Sequence, residues 1–524
     1  MIHKWMKRFI YILAFVAITA VLLFNIIYIN NINNSEISNI ERYRLIYLIA
    51  SIGIALVIIT ISYFVQKMKI NGNIKKAIII LLLVLYACLQ IIWIRHSIAL
   101  PFADSEQILV IAKGFLGKGE LIPYCFMYLQ YYPQQLTLSA IIALIFKICN
   151  TTNYTILQYI NVICNIFTIL GLYAIVRSFS EKYKINKVLF FMITLTFIPI
   201  ILLATFVYGD FIGLAFVIWA VYSAMQYTKK KQKRYVVIAG ILMLIACLVR
   251  MNYFIFAIAI VLYWLIDLLE QPNRDSKKIF IFIGLVILFV VITIVPNNII
   301  KNIYKQKYDL NSDKAFSTIP YLYMGMMEGE RGNGWYNAEV GDMVYHLMCD
   351  EDEEAEKMNE SCVTDFKSRI KFFIENPIYT IKFYSKKIVS IWSEPTMEFG
   401  FYNSTYPEGT NLEEHKLVKE VIEGKTYRVL QIYQKGLTIL ILAGSIVAIF
   451  LNRKKLDKDI VLLCLIFLGG FTFHLLWEAK SRYMIPYFVI LIPITSNGVG
   501  EGVEILKTKI EKQIKKKKGD CLDK

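Results

Sequence analysis

Apolar runs of about 20 residues recur along this 524-residue chain, and no other feature limits the fold as strongly. A soluble domain cannot bury a dozen such runs, whereas a bilayer takes each one as a helix that satisfies its own backbone hydrogen bonds. The runs fall at 9–29, 45–65, 77–94, 157–177, 188–208, 211–228, 235–249, 253–267, 279–295, 437–451, 460–476 and 483–494, which predicts about twelve crossings. Hydrophobic residues make up 57% of the chain and mean hydropathy is +0.53, as this reading requires. The first run is too long for a cleavable signal peptide and lacks a small-residue cleavage site.

The net charge of +17 has the same explanation. Lys and Arg cluster between apolar runs, where they set topology, so nucleic acid is not the expected partner. His3, Lys4, Lys7 and Arg8 place the N-terminus in the cytoplasm; the clusters 182–187, 229–234, 274–278, 453–458 and 515–518 mark the same side. This parity leaves no place for a full crossing at 136–148. That segment, about 13 residues, is therefore expected to be re-entrant or interfacial on the outer side, following a juxtamembrane stretch rich in tyrosine.

With this topology the polar interruptions converge on the outer face. They are the turn Ala99-Leu100-Pro101-Phe102-Ala103-Asp104-Ser105-Glu106-Gln107, the tight Tyr208-Gly209-Asp210 connection, Arg250-Met251-Asn252 within an apolar stretch, and Trp477-Glu478-Ala479-Lys480-Ser481-Arg482-Tyr483 before the last run. Ionisable groups beside spans are costly, and a carboxylate next to partly dehydrated cations suits activation of a hydroxyl opposite an anionic leaving group. Arg250, Lys480 and Arg482 are the candidates for a phosphate, the arginines by bidentate contact and the lysine as a point charge. Two buried cations need an anion between them, and a lipid phosphate at the leaflet boundary is the expected one, which makes Arg250 and Arg482 a clamp that can be removed with little loss of stability; the alternative is protein carboxylates, Asp210 for Arg250 and Glu478 for Arg482. Trp392 and Trp477 are candidates for stacking on a sugar or isoprenoid, and His474 reads as a packing residue. The nine cysteines mostly act as small hydrophobes; Cys349 and Cys362 share a polar segment, and no spacing suggests a metal site.

The expected organisation is two N-terminal helices (1–76), a membrane core (77–296) with a first outer loop at 95–135, an extracytoplasmic segment (297–436), C-terminal helices (437–497) and a basic cytoplasmic tail (498–524).

In their order and common face, the outer-loop acid Asp104, the helix Tyr131-Tyr132-Pro133-Gln134-Gln135, Gly209-Asp210 and the late Arg482-Tyr483 with Pro486 resemble the polytopic GT-C glycosyltransferases. The nearest branch is family 39, which includes the protein O-mannosyltransferases and aminoarabinose transferases. The resemblance covers about 77–493; the first two helices look like an addition. It implies an α-helical polytopic bundle of about 12 transmembrane helices with a mixed extracytoplasmic domain. It also implies transfer of a sugar from a polyprenyl-phosphate donor to a hydroxyl on a glycan, lipid or protein, outside the cytoplasm. By resemblance Asp104 is the general base and Asp210 a second acid that positions substrate or a cation. Many members have adjacent acids in the first loop, whereas this chain has Asp-Ser-Glu, which leaves the role of Glu106 open. Tyr132, Asn252, Glu478 and Tyr483 are the expected substrate-positioning residues. A divalent cation is compatible with the sequence but not required by it. The competing reading, a transporter or flippase of lipid-linked saccharides, predicts charges near the midplane and broken helices in paired halves. A non-enzymatic assembly partner would leave the converging acids without a purpose.

Overall fold

The computed structural model describes residues 2–32, 35–119, 128–129, 132–271, 276–308, 318–336, 354–407, 410 and 412–522. Tyr131, Cys349 and the acidic residues 350–353 lie outside them, as does any pairing of Cys349 with Cys362.

Among the described residues, ten helices are long and apolar enough to cross a membrane. Helix α1 (Ile2–Ile27) and helix α2 (Leu45–Lys67) are joined by a ribbon of β1 (Tyr28–Ile32) and β2 (Ser38–Arg42), paired antiparallel. Next come α3 (Gly72–Ser97), α4 (Asp104–Phe115), α5 (Gln135–Ile148) and α6 (Tyr154–Ser180). The pair α7 (Lys187–Leu195) and α8 (Ile198–Leu202), with the 3-10 turn that follows, is together long and apolar enough for an eleventh crossing, and it bends by 43° at the Thr196–Phe197 break ahead of Pro199. Then follow α9 (Asp210–Lys230), the 16-residue α10 (Arg234–Val249), α11 (Phe254–Glu270) and α12 (Ser276–Lys307). Counting α10, which is apolar but short, every run read from the sequence is a helix or a bent helix pair.

Helix α5 has 14 residues, about 21 Å of helix, too short for a ~30 Å hydrocarbon core. Its Thr137 hydroxyl donates to the Leu248 carbonyl at 2.6 Å, which ties it to the end of α10.

Beyond α12 the described elements are α13 (Ile319–Met324), the ribbon β3 (Glu328–Gly329) and β4 (Gly332–Asn333), α14 (Glu354–Glu375), α15 (Pro377–Trp392), α16 (Phe399–Tyr402) and α17 (Lys416–Ile422). Trp335, Ile391, Met397 and Phe399 share one continuous core with the bundle. Three long helices close the chain: α18 (Lys425–Asn452), α19 (Lys458–Leu476) and α20 (Ile485–Leu522).

Buried ion pairs gather at the two ends of the bundle. At one end Lys7 meets Glu270, Lys231 and Lys458 share Asp267, and Lys182 and Lys229 flank Asp459. The other end holds Asp104, Asp210 and their partners. Between them lies apolar packing, as expected where charge has no water to solvate it.

Candidate active site

Helix α9 begins at Asp210 because Gly209 turns the chain there. Gly209 has φ +82°, and a Cβ on it would lie 2.4 Å from the Val249 carbonyl oxygen. That turn directs the Asp210 side chain at the α10–α11 break and at the start of the last span. The Tyr253 hydroxyl fixes the turn by donating to the Asp210 main-chain carbonyl at 2.6 Å.

The Asp210 carboxylate lies between two guanidiniums. Arg250 Nε is 2.9 Å from Oδ1, and Arg482 pairs with Oδ2. Arg482 is 3% exposed and Arg250 is largely enclosed. Aromatic faces complete the enclosure: Arg250 lies over Tyr208 and Tyr483 at 4.8 and 4.9 Å, and Arg482 over Phe206 and Tyr402 at 4.6 and 4.8 Å. These contacts hold cations where water cannot. The anion between the arginines is therefore a protein carboxylate in this structure, and it is Asp210 for both, not Glu478 for Arg482.

Tyr208 links this cluster to Asp104. Its hydroxyl donates to Asp104 Oδ2 at 3.0 Å and accepts from Gln135 Nε2 at 2.7 Å. Asp104 opens α4, where free main-chain N–H groups favour a carboxylate, and its side chain is exposed. The sequence reading thus joined residues that do meet: Asp104, Asp210, Arg250, Arg482 and, as the ring beneath both guanidiniums, Tyr483. Asn252 lines a small cavity with Asp210, Arg250, His474, Tyr483 and Tyr487. Tyr132 packs on Tyr128 at the Asp104 side. Glu106 is exposed and no contact joins it to the cluster among the described residues.

Residues 134–296, which include Asp210, Arg250 and Asn252, match the family model described as dolichyl-phosphate-mannose-protein mannosyltransferase. Among solved structures, the chain is similar to the archaeal oligosaccharyltransferase AglB from Archaeoglobus fulgidus, in complex with an inhibitory peptide and a dolichol-phosphate. The identity is 13%, the TM-score 0.37, and the match covers 84% of this chain and 52% of that one, so this chain spans about half of that protein's length. No curated protein matches the chain. The family match covers about a third of the chain and takes in the cluster around Asp210.

The site carries a second layer of charge that sequence reasoning missed. Glu36, on the turn of the β1–β2 ribbon, is 1% exposed and pairs with both Lys480 and Arg331. Lys480, expected as a free phosphate ligand, is therefore already neutralised. The first two helices, read as an addition, supply that carboxylate.

Beside it, Glu394 and Glu398 are buried with Ser481 between them, its hydroxyl 2.8 Å from Glu394 Oε2 and 2.8 Å from Glu398 Oε1. A hydroxyl has one proton, so one of these contacts must be donated by a carboxyl. Glu394 already accepts from the Thr396 and Glu398 amides at 2.8 Å each, whereas Glu398 Oε2 is buried with no partner. An unpartnered oxygen is cheaper on a neutral acid than on a carboxylate, so the proton resides on Glu398. Burial drives both carboxyls up, Glu394 to about 7. The Arg482 amide donates to Glu398 Oε1 at 3.1 Å, which ties this proton to the arginine facing Asp210.

Glu478 is half-buried, and loss of solvent pushes its carboxyl up to about 7 against the pull of Lys480. Lys387, fully buried, donates to the carbonyls of Gly325, Leu475 and Trp477 at 2.6, 2.9 and 2.8 Å and so holds the loop that carries Glu478. Trp477 stacks on Tyr321 at the edge of the site, but Trp392 is enclosed by Phe467, Phe471, Tyr487 and Phe488 and can stack on no ligand. The missed acids sit in polar segments that read as ordinary loops. The signal was the stretch Trp392-Ser393-Glu394-Pro395-Thr396-Met397-Glu398-Phe399, where two acids stand among bulky apolar residues. Among the described residues no group of three or more His, Cys, Asp or Glu side chains is arranged to hold a metal.

Proposed function

We propose that this glycosyltransferase moves a sugar from a polyprenyl-phosphate donor to a hydroxyl on a glycan, lipid or protein acceptor, at the extracytoplasmic membrane face, with both termini in the cytoplasm. The observation that carries the reading is the Asp104–Tyr208 hydrogen bond. It sets an exposed carboxylate beside a buried cluster in which two guanidiniums face one carboxylate, leaving positive charge uncompensated.

That arrangement suits both halves of the reaction. Asp104 takes the proton of the acceptor hydroxyl as its oxygen bonds to the anomeric carbon. The bond from that carbon to the phosphate oxygen breaks, and the phosphate leaves with the electron pair. The leaving lipid phosphate is a good leaving group, so the site needs cations more than a strong acid. Arg250 and Arg482 supply them, with Asp210 holding them apart until the phosphate arrives. Lys480 adds to that field from its pairing with Glu36. Asn252, Tyr132, Glu478 and Tyr483 line the approach. A transporter would carry its ionisable groups near the midplane, whereas the buried pairs here gather at the ends.

The test is release of polyprenyl phosphate when purified protein is given polyprenyl-phosphate sugars and a hydroxyl acceptor. No release from any member of a hexose and pentose panel, with the donor bound, would sink the reading.

A further inference from the structure

Helix α12 is the least buried of the spans, with 17% of its most apolar window enclosed by the fold, so most of its surface faces lipid. Its inward side runs Leu285, Phe289, Thr293, Asn297 at four-residue spacing, and the next position on that side is Lys301. The stripe turns polar as it nears the site end. Asn297 is 2% exposed, and its side-chain oxygen has no hydrogen-bond partner. Lys301 is half-buried, and its ammonium lies 3.8 Å from the Met251 sulfur. A thioether is a weak acceptor. No carboxylate lies within ion-pair distance of Lys301 among the described residues.

Met251 follows Arg250, and one turn beyond Lys301 the rings of Tyr304 and Tyr308 lie on Phe115 of α4, each at 4.7 Å. Helix α4 begins at Asp104. Among the described residues the Lys301 ammonium therefore has no counter-charge, and it stands between the far end of α4, eleven residues from Asp104, and the residue next to an arginine of the cluster. Simple snorkelling explains Lys305 and Lys307 at the helix end, but Lys301 turns toward Met251.

We propose that Lys301 binds the phosphate of the lipid-linked donor as it enters laterally from the bilayer, ahead of Arg250 and Arg482. This rests on the transfer reading above, which makes a lipid phosphate the ligand. The same ammonium would suit the headgroup of an anionic bilayer phospholipid, and the experiment separates the two.

Full-length protein is placed in nanodiscs of neutral phosphatidylcholine and titrated with polyprenyl phosphate, the product common to any sugar donor. Lys301→Gln is expected to weaken binding about tenfold, the scale of one charge-assisted hydrogen bond. Lys301→Arg should keep it within about threefold, and Lys307→Gln should leave it unchanged. Equal affinity for wild type and Lys301→Gln in neutral nanodiscs would overturn the proposal. If phosphatidylglycerol then tightened only the wild type, Lys301 would be a bulk-lipid site instead, also against it. Failure of the transfer reading looks different: the wild type would release no polyprenyl phosphate from any sugar donor, whatever Lys301→Gln does to binding.

Discussion

Replacing Arg482 with Gln separates a ligand clamp from a built-in ion pair. A free clamp can be removed without cost to the unliganded fold, but Arg482 here is 3% exposed, pairs with Asp210 and lies over Phe206 and Tyr402. Removing one partner of a buried pair costs roughly 3–5 kcal/mol. Arg250 remains on Asp210 at 2.9 Å, so the lower end applies. An unfolding entropy of about 2.1 cal/mol/K per residue over 524 residues gives roughly 1 kcal/mol per degree, so Tm of the detergent-purified protein should fall by about 3 °C. Asp210→Asn should cost more than Arg482→Gln, because it leaves two buried guanidiniums with no anion between them. The double variant should lose less than the two singles together. A Tm for Arg482→Gln within about 1 °C of wild type, without donor, would refute the pairing and restore the free clamp read from sequence.

Gly209→Ala should lower Tm by several degrees and abolish transfer, since φ +82° disfavours any side chain and the new Cβ would meet the Val249 carbonyl; an unchanged Tm would contradict that turn. Burial keeps the Glu394 carboxyl protonated up to about 7, whereas the unfolded chain gives that proton up near pH 4.5. The folded state then binds more protons between those values, so stability falls as pH rises from about 4.5 to 7, by roughly 3 kcal/mol for such a shift. Melting curves across that window should flatten in Glu394→Gln; an undiminished slope would rule out the raised carboxyl. Cys149, exposed at the end of α5, should react from outside intact cells with an impermeant maleimide; labelling only after permeabilisation would reverse the topology. Thr137, buried against Leu248, cannot serve as that probe.

The membrane architecture was legible because hydropathy is a one-dimensional signal and each span satisfies its own backbone. Parity alone identified α5 as no full crossing, and its 14 residues agree. Asp104, Asp210, Arg250 and Arg482 could be singled out because a charge beside an apolar run is conspicuous. Which acid meets which base was legible only in part: Asp210 was offered as the partner of Arg250, but Arg482 was given Glu478 and shares Asp210 instead, and the link from Asp104 passes through Tyr208, one of 34 tyrosines. Glu36, Glu394 and Glu398 were hidden for a different reason. Their burial depends on how a ribbon after α1 and a loop after α15 fold onto residues 480–482, contacts spanning 83 to 444 positions of sequence. Lys387 reads as one of several surface lysines on an amphipathic helix until three carbonyls are seen to converge on it.

The account depends most on Asp104 as the base. Single-turnover release of polyprenyl phosphate should be compared for wild type and Asp104→Asn at matched donor occupancy, so that binding and chemistry are read separately. Loss of roughly 10²–10⁴-fold in rate with donor affinity retained is the expected result for removal of a general base. Turnover within a few-fold of wild type would contradict it and take Asp104 out of the reaction.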